Sequence, residues 1–223
     1  MNYYLRGWQL NTSMIKRIFD IILSILLFIM LIPILTLIYL LSFLLMGSPV
    51  IFQQNRHGLH ANTFTFYKFR TMTNDKDKKG ILLQDNNRLT KYGKFLRKTS
   101  LDELPSLWNV LQGDMSLVGP RPLLMEYLDR YSSDQAHRHD VKPGITGLAQ
   151  IKGRNTLSWE EKFKYDIQYV NNHNIFLDLK ILFLTVLFVL RFRGITPEKQ
   201  EIMPEFWGSD LNESSDKTNE GKS

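Results

Sequence analysis

Cysteine is absent from this chain of 223 residues, which excludes disulfides, thiolate metal sites and thiol nucleophiles and leaves the redox compartment unspecified. Also missing is the glycine fingerprint of a Rossmann or P-loop nucleotide site, so a bound nucleotide would have to be held by charged loops. No internal repeat is visible. Histidine is scarce, five residues in all. His137 and His139 stand two apart in a charged stretch, without helical metal spacing, and read as exposed side chains rather than ligands. Acidic residues are the minority charge: 28 Lys and Arg against 22 Asp and Glu give a net charge of +6 and a pI near 9.4. The partner is therefore anionic, whether nucleic acid, lipid headgroup or phosphorylated substrate, and charge alone does not choose among them.

What the chain does have is a long apolar run over residues 18–46, broken only by Asp20, Ser24, Pro33, Thr36, Ser42 and the aromatic Tyr39. It is too long for a signal peptide, and no small-residue cleavage site follows it, so it reads as a retained membrane segment. A straight helix of this length would reach about 43 Å at ~1.5 Å per residue, well beyond the ~30 Å hydrocarbon core. Pro33 near its middle removes a backbone donor and predicts a kink. Two halves of about 20 Å each then form a hairpin that enters and leaves by one face. Lys16 and Arg17 precede the run and Arg56, Lys68 and Arg70 follow it, which places both ends in the cytoplasm. A kinked single span with a short N-terminal tail accounts for the same pattern.

A second apolar stretch, residues 175–190, contains Asp178 and Lys180, is followed by Arg191 and Arg193, and is too short to span. It is either a buried core helix or, the favoured reading, an interfacial helix whose arginines meet lipid phosphates. Between the two runs, residues 50–54 and 63–72 read as strands, and 89–97, 104–111 and 159–170 as helices, the second closed by Gly113, with a loop at 144–147. The polar residues 212–223 lack periodicity and are expected to be disordered. The expected fold is an α-rich α+β chain: an N-terminal tail and re-entrant membrane helix hairpin over 1–49, a small cytoplasmic catalytic domain with interfacial helices over 50–204, and a largely disordered tail over 205–223.

Chemistry is concentrated in KTSLDELPSLWNVLQGDMSLVGPRP, residues 98–122. Asp102 and Glu103 stand at an expected helix start. Asp102 is the better cap, because it leaves Pro105 in the first turn, where no amide is needed. Such a pair stabilises a helix end by ~0.3–1 kcal/mol per residue without any chemistry. An ionised carboxylate is also a nucleophile toward phosphorus and a hard ligand for Mg2+. Arg121, between Pro120 and Pro122, is either a turn arginine in an ion pair or a rigidly mounted guanidinium for phosphate. Lys68 and Arg70 share one face of the expected strand, which suits a phosphate or simply a solvated edge.

The strings DELPSLWNVLQGDMSLVGPRP, VKPGITGLAQIKGRN and YKFRTM occur in the order of a known family, and over residues 16–195 the chain resembles the bacterial sugar transferases, small monotopic polyprenyl-phosphate phosphoglycosyl transferases. The resemblance implies transfer of a sugar 1-phosphate from a UDP-sugar to undecaprenyl phosphate, with UMP released. Asp102 would be the nucleophile forming a covalent phosphosugar, with Glu103 assisting metal or proton handling and Mg2+ held by Asp102 and Glu103. Lys68, Arg70, Arg97, Arg121 and Arg154 would bind substrate. It implies the cytoplasmic face of a bacterial inner membrane, contact with membrane lipids and no nucleic acid, and it is compatible with a homodimer. The element Met125-Glu126-Tyr127-Leu128 looks most like that of members handling N-acetylated bacillosamine-type sugars, with glucose or galactose transfer for capsule or O-antigen as the alternative. The sequence departs from relatives at Ile32, where a serine often precedes the proline, and at Leu148, where tryptophan is common. A non-catalytic membrane-anchored anion-binding module and a hydrolytic phosphatase are the competing classes. The former needs no central carboxylates, and the latter no lipid acceptor.

Overall fold

The computed structural model describes residues 2–153, 156–191 and 205–208. Helices dominate and the sheets are small, two strands each, as an α-rich α+β chain should show. The chain divides into two compact units, one from residues 1–54 and 65–113, the other from 55–64 and 114–223.

The first unit begins with helix α1 (Asn2–Met46), which runs through Pro33 without a break. The two arms expected of a hairpin are thus one hydrogen-bonded element: Pro33 deletes a single amide, and its fixed φ is helical. A return to the same membrane face would require a bend within that helix rather than a loop. Residues Met14–Met46 are long and apolar enough to cross a membrane, and only 11% of their most apolar stretch is buried, unlike a core helix. Three of the polar residues that interrupt the run share a cause. Asp20, Ser24 and Ser42 are buried, at helical spacing with buried Ile38, so they lie on the side of α1 that the rest of the unit covers. Arg17 donates to the carbonyls of Val110 and Leu111 at 2.5 and 2.9 Å, closing helix α4 (Leu107–Gln112).

Strands β1 (Ile51–His57) and β2 (Thr63–Phe69) form one two-stranded sheet. After the short helix α2 (Asp85–Arg88) comes α3 (Lys91–Thr99), capped by Thr90 Oγ1, which accepts from the Gly93 amide at 2.8 Å. Ile38, Val50, Phe69 and Leu96 form the unit's core. Tyr92 pins α3 to α1 by donating to the Ile38 carbonyl at 3.2 Å.

In the second unit, β3 (Ser116–Val118) and β4 (Gly144–Thr146) pair in parallel, Ser116 opposite Gly144 and Val118 opposite Thr146. The expected loop at 144–147 is therefore largely strand; three residues are too few for a periodic signal. Helix α5 (Ser133–Ala136) lies between the two strands in sequence, and α6 (Leu148–Lys152), α7 (Trp159–Asn172) and α8 (Ile175–Arg191) follow β4. A reciprocal capping box starts α7: Ser158 Oγ accepts from the Glu161 amide and Glu161 Oε2 from the Ser158 amide, satisfying two otherwise orphaned donors. Tyr127, Phe163 and Phe206 form an aromatic core with Tyr131 and Trp159 against it. Phe206, assigned by sequence to a tail, is fully buried there. Helix α8 is two-faced: Asp178 and Ile181 are buried, while Phe176, Phe183 and Val186 are exposed, Phe176 by 80%. Buried Asp178 is explained by Tyr169, which donates to its Oδ1 at 2.7 Å. Arg193 and residues 212–223 lie outside the described residues.

Candidate active site

In the first unit the carboxylate pair is set by what precedes it. Gly93 of α3 lies so close to the end of β2 that a Cβ there would sit 1.9 Å from the Thr71 carbonyl oxygen; only glycine permits that approach. One turn later Arg97 Nε donates to Thr71 Oγ1 at 3.1 Å. Ser100 then takes a left-handed conformation, φ 58°, uncommon for a residue with a side chain, and turns the chain into a 3-10 turn, Leu101–Ser106. Asp102 lies inside this turn, only 5% exposed, with Glu103 beside it. Ser106 Oγ donates to the Glu103 carbonyl at 2.6 Å.

The expectation of Asp102 as a helix cap is corrected by this geometry. The position before the turn is Ser100, no side chain caps it, and the α-helix begins only at Leu107. Pro105 cannot supply the amide that would bond to the Leu101 carbonyl in an α-helix begun there, so α-helical bonding is established only beyond it. The macrodipole behind the pair is that of a six-residue helix, so dipole stabilisation is weaker than a long helix would give. Gly113 does close α4, with φ 98°.

Arg70 was expected beside Lys68 as a substrate ligand. Strand β2 ends at Phe69, so the alternation stops before Arg70. Its buried guanidinium donates to the carbonyls of Met46, Gly47 (2.8 Å) and Ser48 (3.4 Å). These are carbonyls at and beyond the end of α1, so Arg70 caps the apolar helix. Lys68 instead lies over the Phe52 ring at 5.2 Å. The same unit carries a largely apolar groove of about 660 Å³, lined on the α1 side by Phe28, Ile32 and Leu35 and reaching Pro105 and Trp108. Its wall thus includes the turn that holds Asp102.

Arg121 belongs to the second unit. Pro120 and Pro122 are buried and Arg121 is exposed, and the loop is tied down by Gly119 donating to the Thr146 carbonyl and Gly144 to that of Pro120, both at 2.9 Å. A Cβ on Gly144 would lie 2.1 Å from the Gly119 nitrogen, so the loop and β4 meet backbone to backbone. Beneath it Arg138 Nη2 donates to the Arg121 carbonyl at 2.7 Å and to Asp166 Oδ2 at 2.8 Å. Burial pushes the Asp166 carboxyl up, against the pull of Arg138. Lys162, on α7 one turn before Asp166, is pushed down to about 8, by burial first and then by neighbouring Arg121. Arg154 lies outside the described residues. Contrary to expectation His139 is buried: its Nδ1 donates to the Gly58 carbonyl at 3.2 Å, and its ring packs on Tyr131.

Among the described residues no cluster of three or more His, Asp or Glu could hold a metal. Magnesium does not require one, because it is commonly held by one or two carboxylates together with substrate phosphates and water. The adjacent carboxylates of Asp102 and Glu103 have the chemistry of that donor set.

A model of the bacterial sugar transferase family matches residues 11–192. The chain belongs to the bacterial sugar transferase family. It is 61% identical over 163 residues to the uncharacterized sugar transferase EpsL of Bacillus subtilis, covering 73% of this chain and 81% of EpsL. It is 40% identical to the undecaprenyl-phosphate galactose phosphotransferase of Salmonella typhimurium, over 82% of this chain and 42% of that protein. With the UDP-glucose:undecaprenyl-phosphate glucose-1-phosphate transferase of Klebsiella pneumoniae, identity is 48% over 77% of this chain and 39% of the relative. This sugar transferase therefore spans most of EpsL and about two fifths of the other two.

Several residues of this sugar transferase carry site geometry that sequence reading passed over. Arg138, Asp166 and Lys162 are brought to Arg121 by long-range packing. Only the four-residue spacing of Lys162 and Asp166 on an amphipathic helix hinted at a shared face.

Proposed function

We propose that the chain transfers a sugar 1-phosphate from a UDP-sugar to undecaprenyl phosphate, releasing UMP, at the cytoplasmic face of a bacterial inner membrane. Family membership supports the reaction class, and the relatives from Salmonella and Klebsiella, named as undecaprenyl-phosphate sugar phosphate transferases, support the lipid carrier. The observation that carries the reading to this chain is the apolar groove walled by α1 that reaches the turn of Asp102. It offers a polyprenyl chain an apolar path to a carboxylate.

A carboxylate oxygen of Asp102 attacks the β-phosphorus. The bond from that phosphorus to the oxygen bridging to the α-phosphate breaks, and UMP leaves with the electron pair. A phosphate oxygen of the lipid then attacks the same phosphorus, the aspartyl oxygen departs, and the carboxylate is restored. Glu103 handles the proton or holds metal, and Arg121 presents two parallel N–H donors to phosphate. Asp102 and Glu103 would hold Mg2+, which when bound would neutralise diphosphate charge. Arg97 is retained as a substrate ligand, its Nε already fixed by Thr71. Arg70 is reassigned to structure.

For the sugar, the two relatives named for glucose and galactose favour those hexoses, and the element at Met125 to Leu128 favours an N-acetylated amino sugar. At the membrane, α1 inserts and returns by a bend at Pro33, and the exposed apolar side of α8 lies in the interface.

The test is UMP release from UDP-glucose, UDP-galactose and UDP-N-acetylglucosamine by the purified full chain, with and without undecaprenyl phosphate. Multiple turnovers that require the lipid and yield lipid-diphosphate-sugar are expected with one donor. Turnover to free sugar phosphate without lipid would establish the phosphatase instead, and no UMP from any donor would sink both.

A further inference from the structure

We propose that Lys162 and Arg121 together form a two-cation site for a phosphate or diphosphate group, with the buried Arg138–Asp166 pair as the clamp that fixes both. Lys162 and Asp166 are four residues apart on α7, hence on one face. Asp166 is held by Arg138 through Nε at 3.1 Å and Nη2 at 2.8 Å, and that same Nη2 holds the backbone of Arg121. One guanidinium thus ties the helix that carries Lys162 to the loop that carries Arg121. The Tyr131 hydroxyl, 3.3 Å from Arg138 Nη1, braces it from a third side. The Lys162 ammonium rests over the Trp159 ring, 4.9 Å from its centroid, which fixes a flexible stem by packing.

A rigid base thus holds the helix of Lys162 and the loop of Arg121 together, and Arg121 is near enough to act on the charge of Lys162. Burial first, and then neighbouring Arg121, lower the pKa of Lys162. Asp166 acts in the opposite direction, its Oδ2 accepting from two Arg138 donors. Arg121 contributes a planar fork and Lys162 a point charge, a combination suited to adjacent phosphate oxygens. Naming the donor's diphosphate as the natural occupant rests on the proposed function. The lipid's phosphate shares the same chemistry.

The experiment is calorimetric titration of the detergent-solubilised full chain with UDP and with pyrophosphate, comparing wild type, Lys162→Met, Lys162→Arg and Lys164→Met. Lys164 is exposed on the same helix and controls for net charge. Lys162→Met is expected to weaken both anions about tenfold, the worth of one charge-assisted hydrogen bond. Lys162→Arg should stay within about threefold and Lys164→Met should match wild type. Lys162→Met binding both anions like wild type overturns the site, as does an equal loss in Lys164→Met. Should Lys162→Met fail to fold, the wild type answers: pyrophosphate should slow amine-reactive labelling of Lys162, and unchanged labelling overturns the proposal. Wild type that binds pyrophosphate but not UDP keeps the cation pair and removes the UDP-sugar reading; wild type that binds neither removes the pair. A raised KM for UDP-sugar in Lys162→Met assigns the site to the donor, and a raised KM for undecaprenyl phosphate assigns it to the lipid.

Discussion

Arg138 and Asp166 form a buried ion pair 2.8 Å long, with both side chains almost fully out of solvent. Two charges in such a place are stable only together, because either one alone keeps the full desolvation penalty. Asp166→Ala is expected to destabilise the chain by about 3–5 kcal/mol, read as a large fall in melting temperature of the solubilised protein. A wild-type melting curve would show that water reaches the pair.

Asp102 is inside a 3-10 turn, so Asp102→Asn changes charge while keeping shape and leaves the caps of α3 and α4 untouched. The folded state should survive. UMP should not be released from a UDP-sugar even in a single turnover, and no phosphosugar adduct should be found on the protein by mass spectrometry. Glu103→Gln should slow turnover and still show adduct. Near wild-type turnover in Asp102→Asn, checked for deamidation, would favour direct attack of the lipid phosphate on the donor.

Arg121 is exposed on a loop whose flanking prolines are buried, so its side chain adds little to folding. Arg121→Lys keeps the charge and removes the fork. Activity is expected to fall at least about tenfold, the loss of one charge-assisted hydrogen bond, with melting temperature unchanged. Turnover close to wild type would leave Arg121 a replaceable point charge.

The membrane run, α7 and the glycine that ends α4 were legible because each is a local pattern: an apolar stretch, a 3.6-residue stripe, a C-terminal glycine. The functions of Arg70, Asp20, Ser24 and Ser42 were not, because each depends on where a distant element docks. Arg70 caps a helix that ends 24 residues earlier, at Met46. Phe206 was hidden for the same reason, since two adjacent aromatics, Phe206 and Trp207, carry no period. Pro105 was seen but placed in the wrong helix type: sequence showed that an amide was missing, not that the chain would tighten to pass it. For the site, the stretch around Asp102 and Arg121 was readable as motif, while the base under Arg121 was not, because Arg138 and Asp166 stand 28 residues apart.

His139 gives a pH prediction with a definite sign. Burial first, and then Arg138, lower its pKa to about 4, and its buried Nε2 has no hydrogen-bond partner to receive a proton's N–H. The unfolded chain binds that proton near pH ~6.5. The neutral ring therefore stabilises the fold fully above pH 6.5, and this contribution is lost as pH falls toward 4. The melting temperature of wild type should decline between pH 6.5 and 5, ahead of most carboxylate titration, and His139→Gln should show a flatter slope there. Parallel slopes would place the titration elsewhere.

The last prediction concerns α1. A helix of this length exceeds the bilayer core, and its apolar run is held at both flanks by the unit it serves: Arg17 binds the end of α4, and Arg70 binds the carbonyls at Met46 and Gly47. Both anchors are cationic, and both must lie where their partners lie. If the segment enters and returns by one face, its two flanks share a compartment. Because the chain has no native cysteine, single cysteines at Asn2 and Thr63 can be read without background. Both should react with a membrane-permeant maleimide and neither with an impermeant one applied to intact cells. Pro33→Ala restores the missing amide and straightens the helix, so a fraction of Asn2 cysteine should then become accessible from outside. External labelling of the Asn2 cysteine in the Pro33 background would make α1 an ordinary bent span. Arg17 could then not reach α4 in the membrane-bound chain.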